Sequence, residues 1–401
     1  MSLPPIVALE VGTTKVRALI GEPREDGHIM IIGLGECPSR GVRKSEIVDF
    51  DNALACVQHA LQNAEETGDV FVNQVHLLVS GGHIAGLLNR GSVPVMSQNG
   101  EITSEDIDHC METARAVNVS ADREVLHTIC QQFFVDDQQG VINPEGMEGA
   151  KLAVDMLILH GIRSRLRNTV KVVRSVPMEI EDVAFSGLCA GLAVLSPEEK
   201  ESGVAVVDLG GGTTDYVVYA GKAIAGAGSL ALGGDHVTND IAWGLRVPMS
   251  VAERLKEESG SAIINVTARG QQVPLPDDGS MGGRFVKLSD LNTIIQHRME
   301  EILQLLHNEW EEQRLLHMLG AGVVFTGGGA YLSRVVELGE KVFGQPCRLG
   351  KPRDVSGLAV ATEGPEYAAA LGMLRYGFKT SRRTQSVSTL GAMLKNLFHR
   401  S

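Results

Sequence analysis

Apolar β-branched runs interrupted by glycine- and threonine-rich turns recur at three places in this chain. In Val204–Tyr219, VAVVDLGGGTTDYVVY, the runs Val204–Val207 and Tyr216–Tyr219 have the length and composition of strands and flank a polar turn. Asp208 closes the first run and Asp215 opens the second. Ile6–Leu9 and Val16–Ile20 flank a similar turn, Gly12–Lys15, and the two segments read as weak internal duplicates about 200 residues apart. A third turn, in VVFTGGGAYL at Val323–Leu332, runs from a strand into a helix. Two like hairpins half a chain apart predict an α/β protein with two similar domains facing one cleft.

Between the hairpins the period alternates. Asp51–Glu66 is helical, Gln74–Ser80 a strand, and Ile102–Ala116 a helix behind the cap chemistry of Thr103-Ser104-Glu105-Asp106. Leu126–Val135 and Lys151–Leu159 are strands, so that Ile84–Ile162 reads as a compact α/β insert. Met178–Leu195, rich in small apolar residues, is predicted as one helix, and Glu366–Tyr376 as its counterpart. A helix starts within Gly228–Ala242, a charged one spans Ala252–Gly260, and a long amphipathic one Leu291–Leu319.

The C-terminus has a different character. Gly377–Ser388 has linker composition. In Thr389–Arg400, Leu390, Met393, Leu394, Leu397 and Phe398 fall at i, i+3, i+4, i+7 and i+8, with Lys395, Asn396, His399 and Arg400 opposite. From Gly377 onward there are five basic residues and no acid, while the whole chain carries −13. That segregation predicts a helix in an anionic membrane interface; the alternative is a terminal helix docked on the body.

The acidic body is a poor nucleic-acid binder. The six cysteines have no metal-ligand spacing, which points to reduced thiols rather than structural zinc. MSLPPIVALEVG has no basic leader region and no apolar run reaches membrane-spanning length, so the expectation is a cytoplasmic protein.

The chemistry sits in the glycine turns. Glycines let backbone N–H groups turn toward a phosphate, and a neighbouring carboxylate holds Mg²⁺ through water or positions an attacking water. Because the second turn leads from strand to strand, it is a phosphate-gripping hairpin rather than a P-loop or a dinucleotide fingerprint. A ligand-free glycine hairpin is the plainer alternative.

In this order, ALEVGTTKV, GLGECPSRGV (Gly33–Val42), the insert after VSGGHI, VVDLGGGTTD, VFTGGGAYL and the basic amphipathic tail resemble the actin/sugar-kinase/heat-shock-chaperone ATPase superfamily. Within it they resemble the FtsA family of bacterial cell-division actin relatives, over essentially the whole chain. The resemblance implies an actin-like two-domain ATPase fold: subdomain 1A at 1–83 and 163–202, the insert 1C at 84–162, 2A at 203–235 and 321–376, and 2B at 236–320. A linker at 377–388 and a membrane-targeting helix at 389–401 would follow. It implies ATP and Mg²⁺, with Gly12, Thr13, Thr14 and Lys15 on the β/γ-phosphates and Gly210, Gly211, Gly212 and Thr213 opposite. Asp208 would sit near Mg²⁺ through water, and Gly327, Gly328 and Gly329 near the adenosine. Gly234 joins that set, and Glu253 and Lys256 resemble ribose and adenine contacts, unless they are a solvated pair. Asp208, and more weakly Glu10, are the catalytic candidates.

The implied partners are the C-terminal peptide of the tubulin-like protein FtsZ, anionic lipids, further copies in a filament and other division proteins, at the cytoplasmic face of the inner membrane. Arg298, with Lys287, is the candidate for the acidic peptide, unless it is salt-bridged to a neighbour such as Glu301. Leu390, Met393, Leu394, Lys395, Leu397, Phe398 and Arg400 are the membrane candidates. Two positions depart from the superfamily: its usual aspartate is Glu10, and Ser186-Gly187 stand where the cell-shape actin MreB has Glu-Pro, so at most slow hydrolysis is expected. A PilM-like pilus-assembly actin relative and a small-molecule kinase are the rival readings.

Overall fold

Strand Ile6–Val11 pairs antiparallel with Lys15–Pro23, which sets Glu10 opposite Arg17 across the first turn. Strand Val204–Leu209 pairs with Thr214–Ala220, which sets Asp208 opposite Asp215 across the second. The computed structural model describes residues 4–97, 99–264, 270–275 and 284–381.

Around each hairpin the same sheet is built. In the first half the order is Glu179–Phe185, Gln74–Val79, Ile6–Val11, Lys15–Pro23, Ile29–Pro38, with Val355–Gly357 added at the edge. In the second half Cys347–Leu349, Val323–Thr326, Val204–Leu209, Thr214–Ala220 and Ala223–Leu230 follow in the same pattern. Each is a three-strand antiparallel meander, with two strands running parallel to its first member. The innermost strands are almost wholly apolar, as strands covered on both faces must be (Ile6–Leu9, Val204–Val207).

The insert contributes Ala85–Pro94, Lys151–Ile162, Arg123–Val135 and Gln138–Val141, covered on one face by helix Ser104–Arg115. Thr103 and Asp106 form the predicted capping box of that helix. Although the insert leaves and re-enters the chain in the first half, its sheet continues that of the second. The join is one register pair, Gly228 with Ala85.

Three expected elements differ. Met178–Leu195 is not one helix: Glu179–Phe185 is a strand parallel to Gln74–Val79, and only Ser186–Val194 is helical. Ile180, Val183 and Phe185 are good strand formers, and the strand gains a partner far away in sequence. The long helix spans Leu288–Glu312 rather than Leu291–Leu319; Arg314 then takes a left-handed conformation, and Leu316–Met318 is a short 3₁₀ turn. The counterpart helix runs over 368–381, past the expected end and into the expected linker. It crosses Ser186–Val194 so closely that a Cβ on Gly372 would collide with the carbonyl of Cys189. No helix among the described residues is long and apolar enough to cross a membrane.

Candidate functional site

The two hairpin turns meet face to face. A Cβ on Gly211 would collide with Thr14 Oγ1 and one on Gly212 with Thr13 Oγ1, so only glycine permits this approach. Beside the meeting point lies a cavity of about 590 Å³. Its walls include Gly12–Lys15, Gly210–Thr213, Gly234, Glu253, Lys256 and Gly327–Gly329, together with Glu10 and Asp208. Every residue assigned to the nucleotide from sequence therefore lines one cleft.

Each wall has a local cause. Helix Gly234–Leu245 starts against the second turn, where Gly234 and Asp235 donate their N–H groups to the carbonyls of Gly210 and Gly211 at 2.9 and 2.8 Å. Gly327, at φ +81°, turns the chain directly over Asp208, where a Cβ would strike Oδ1, whereas Gly328 has open space before it. Glu253 and Lys256 are not a solvated pair. Lys256 Nζ lies 2.7 and 2.8 Å from the Glu253 carboxylate oxygens and 2.9 Å from Thr238 Oγ1, on the cleft wall.

The cleft is short of positive charge. Burial raises the Glu10 carboxyl above its ordinary pKa, against the pull of Arg17. Asp208 is pushed well above the usual carboxylate range by burial and by Asp215 and Glu10; Arg17 opposes this. Burial lifts Asp215 to about 6, even though Ser229 and Ser80 donate hydrogen bonds to it. Among the described residues no three acidic, histidine or cysteine side chains are placed to chelate a metal directly. Buried carboxylates only partly offset by Arg17, beside two glycine turns, instead fit Mg²⁺ held through waters, the arrangement this ion prefers.

Three contributors have partners or places that the sequence did not give. Lys15 lines the cleft, but its ammonium pairs with Glu36 at 3.0 Å. Arg17 is nearly buried between Glu36 at 2.7 Å and Glu10 at 3.4 Å, donates to the Glu366 carbonyl at 2.9 Å and lies over the Tyr367 ring. Its register opposite Glu10 was the available signal. The small hairpin Val42–Arg43/Glu46–Ile47 turns through Lys44 and Ser45, both at positive φ (51° and 60°). Ser45 donates its N–H to Thr13 Oγ1 at 2.9 Å, and its hydroxyl lies 3.3 Å from Thr213 Oγ1. One strained turn thus touches both glycine turns. Ser186, buried at the start of its helix, also lines the cleft.

Arg298 and Lys287 are not brought together. Eleven helical steps separate them, about 16 Å along the axis, and Arg298 is held by Asp240 and Glu301, each at 2.6 Å. Leu390, Met393, Leu394, Lys395, Leu397, Phe398 and Arg400 lie outside the described residues.

A sequence profile described as the SHS2 domain inserted in FtsA matches residues 81–160, and one described as cell division protein FtsA matches residues 205–372. The chain is 35% identical over 379 residues to the cell division protein FtsA of Escherichia coli strain K12, covering 93% of this chain and 90% of that protein. It belongs to the FtsA family. The FtsA of Pseudomonas aeruginosa is 33% identical over 387 residues, covering 96% of this chain and 92% of its own length. Among solved structures, the PilM–PilN type IV pilus biogenesis complex shares the fold with a TM-score of 0.63 at 17% identity, over 93% of this chain and 98% of that one. MreB5 of Spiroplasma citri bound to ADP gives 0.57 at 13% identity, over 95% and 98%. This FtsA-family chain thus has an actin-like α/β fold with the SHS2 insert of its family.

Proposed function

We propose that this FtsA-family protein binds Mg·ATP between its paired hairpins, assembles into actin-like filaments on the inner face of the cytoplasmic membrane through its C-terminal amphipathic helix, and holds FtsZ there with other division proteins. The observation that carries the nucleotide reading is the meeting of the two glycine turns beside a cavity lined by all three glycine-rich segments. It is supported by the shared fold of MreB5, solved with ADP and with AMPPNP.

In this reading the N–H groups of Gly12–Thr14 and Gly210–Thr213 grip the phosphates from opposite sides. The adenosine lies toward Gly327–Gly329, with Glu253 and Lys256 orienting the ribose. Asp208 and Glu10 would hold Mg²⁺ through water, and the ion would supply the positive charge the cleft is short of beside the terminal phosphate. Arg17 fixes Glu10 at the cleft wall. Ser186, with no carboxylate at its position, is a weak base, consistent with turnover that is slow at most. An acidic FtsZ peptide would reach Arg298 by exchanging its carboxylates for those of Asp240 and Glu301.

Isothermal titration of Mg·ATP tests the cleft. Asp208→Ala should weaken binding more than tenfold, and unchanged affinity would remove the assignment.

A further inference from the structure

A second cavity, of about 630 Å³, shares no lining residue with the nucleotide cleft. It lies among the short helix Pro197–Ser202, the turn at Lys222, the loop at Arg353–Asp354 and the helix 368–381. Its charged lining is Lys200, Lys222, Arg353, Arg375 and Lys379 against a single carboxylate, Asp354. In an acidic protein this is a marked inversion of sign.

The cations are only partly matched. Lys222 pairs with Glu201 at 3.1 Å, and Arg375 reaches Asp354 at 3.4 Å and the Leu192 carbonyl at 2.9 Å. Arg375 Nε, however, is buried with no acceptor, which a folded protein tolerates at a cost. Lys200 lies over the Tyr219 ring, 4.7 Å from its centroid. Burial, then Lys379, Arg375 and Arg353, pull its ammonium down to about 8, with Glu199 opposing. The guanidinium of Arg375 is likewise lowered, by burial and Arg353. Several cations held in a concave site and short of acceptors fit a compact anion with several oxygens, which guanidinium and ammonium groups bind well.

The position of the cavity indicates which anion. Lys379 lies near the end of the helix 368–381, and in sequence the basic stretch read above as membrane-binding continues from there. We propose that this cavity binds the phosphate of an anionic phospholipid headgroup, giving the body of the protein a membrane contact beside that of its tail. The proposal rests on the membrane reading, and the two are separable by experiment.

The test uses the full chain, vesicles of phosphatidylglycerol in phosphatidylcholine, and two soluble probes, glycerophosphoglycerol and inorganic phosphate. Lys200→Gln with Arg353→Gln should lower vesicle affinity about tenfold and abolish glycerophosphoglycerol binding, while Mg·ATP binding persists as the control for folding. A charge-matched control, Lys151→Gln with Lys341→Gln, should do much less. Equal losses from the control would reduce the effect to general surface charge and overturn the proposal. Inorganic phosphate binding as tightly as glycerophosphoglycerol, with vesicle affinity unchanged in the cavity variant, would assign the cavity to a free anion and overturn it equally. Leu394→Glu separates the readings: vesicle binding undiminished there removes the tail, whereas binding undiminished in Lys200→Gln/Arg353→Gln removes the cavity.

Discussion

Asp215 shows how a single residue records what the cleft lacks. Its carboxyl titrates near 6 in the fold because burial outweighs the hydrogen bonds from Ser80 and Ser229. A carboxyl whose pKa is raised on folding binds more protons in the native state, so its stabilising contribution is complete below its ordinary pKa, 3.8, and lost as pH rises through about 6. Asp215→Asn keeps an acceptor for both serines and removes the charge. Its Tm should therefore gain on the wild type as pH rises from about 4 to 7, as calorimetry at the two limits reads directly; a constant difference would refute the shift. Arg298 poses the opposite case, a cation with two partners already. Arg298→Glu places like charge beside Asp240 and Glu301 and should reduce FtsZ-peptide affinity at least tenfold in fluorescence anisotropy; undiminished binding would move the peptide elsewhere.

At the scale of elements, legibility followed locality. The hairpins at Gly12–Lys15 and Gly210–Thr213 and the capped helix Ser104–Arg115 were readable because neighbouring residues dictate them. The approach of the three glycine turns to one cleft joins segments far apart in the chain and was legible only through the likeness of the two hairpins and the family resemblance. Glu179–Phe185 was not, because its pairing with Gln74–Val79 lies a hundred residues away and the small residues after it carry a genuine helical signal. The pairing of Lys15 with Glu36 escaped for a similar reason, since the third strand supplies the partner. The Lys44–Ser45 turn was invisible because neither residue advertises a left-handed backbone; Asn-Gly would have. Lys44→Asn with Ser45→Gly should accordingly relax the turn and raise the Tm of the nucleotide-free protein by about 2 °C. It should also weaken Mg·ATP binding by removing the hydroxyl that meets Thr213, while the backbone N–H of residue 45 keeps its bond to Thr13 Oγ1. A variant with lower Tm and unchanged nucleotide affinity would show that the turn is not under strain.

Across the whole molecule, two sheets of the same order face one cleft, and the nucleotide proposed to lie there would touch both. Bringing the halves together involves the hydroxyls of Ser45 and Ser80, which meet the Thr213 hydroxyl, and the Asp215 carboxylate, which accepts from Ser80. Mg·ATP should therefore slow amide hydrogen exchange at residues 85–94 as well as in the glycine turns, read by mass spectrometry of the full chain. Protection confined to the turns would mean that the insert is uncoupled from the cleft.

Such coupling would have its mechanical origin in the pair Gly228–Ala85. The insert is tethered by both its chain ends to one half and stitched by its sheet edge to the other. It is therefore attached to both halves at once, like an arm held at two points. A change in the angle between the halves would act on both attachments together, which makes the insert's edge strand Ala85–Pro94 the place to read it.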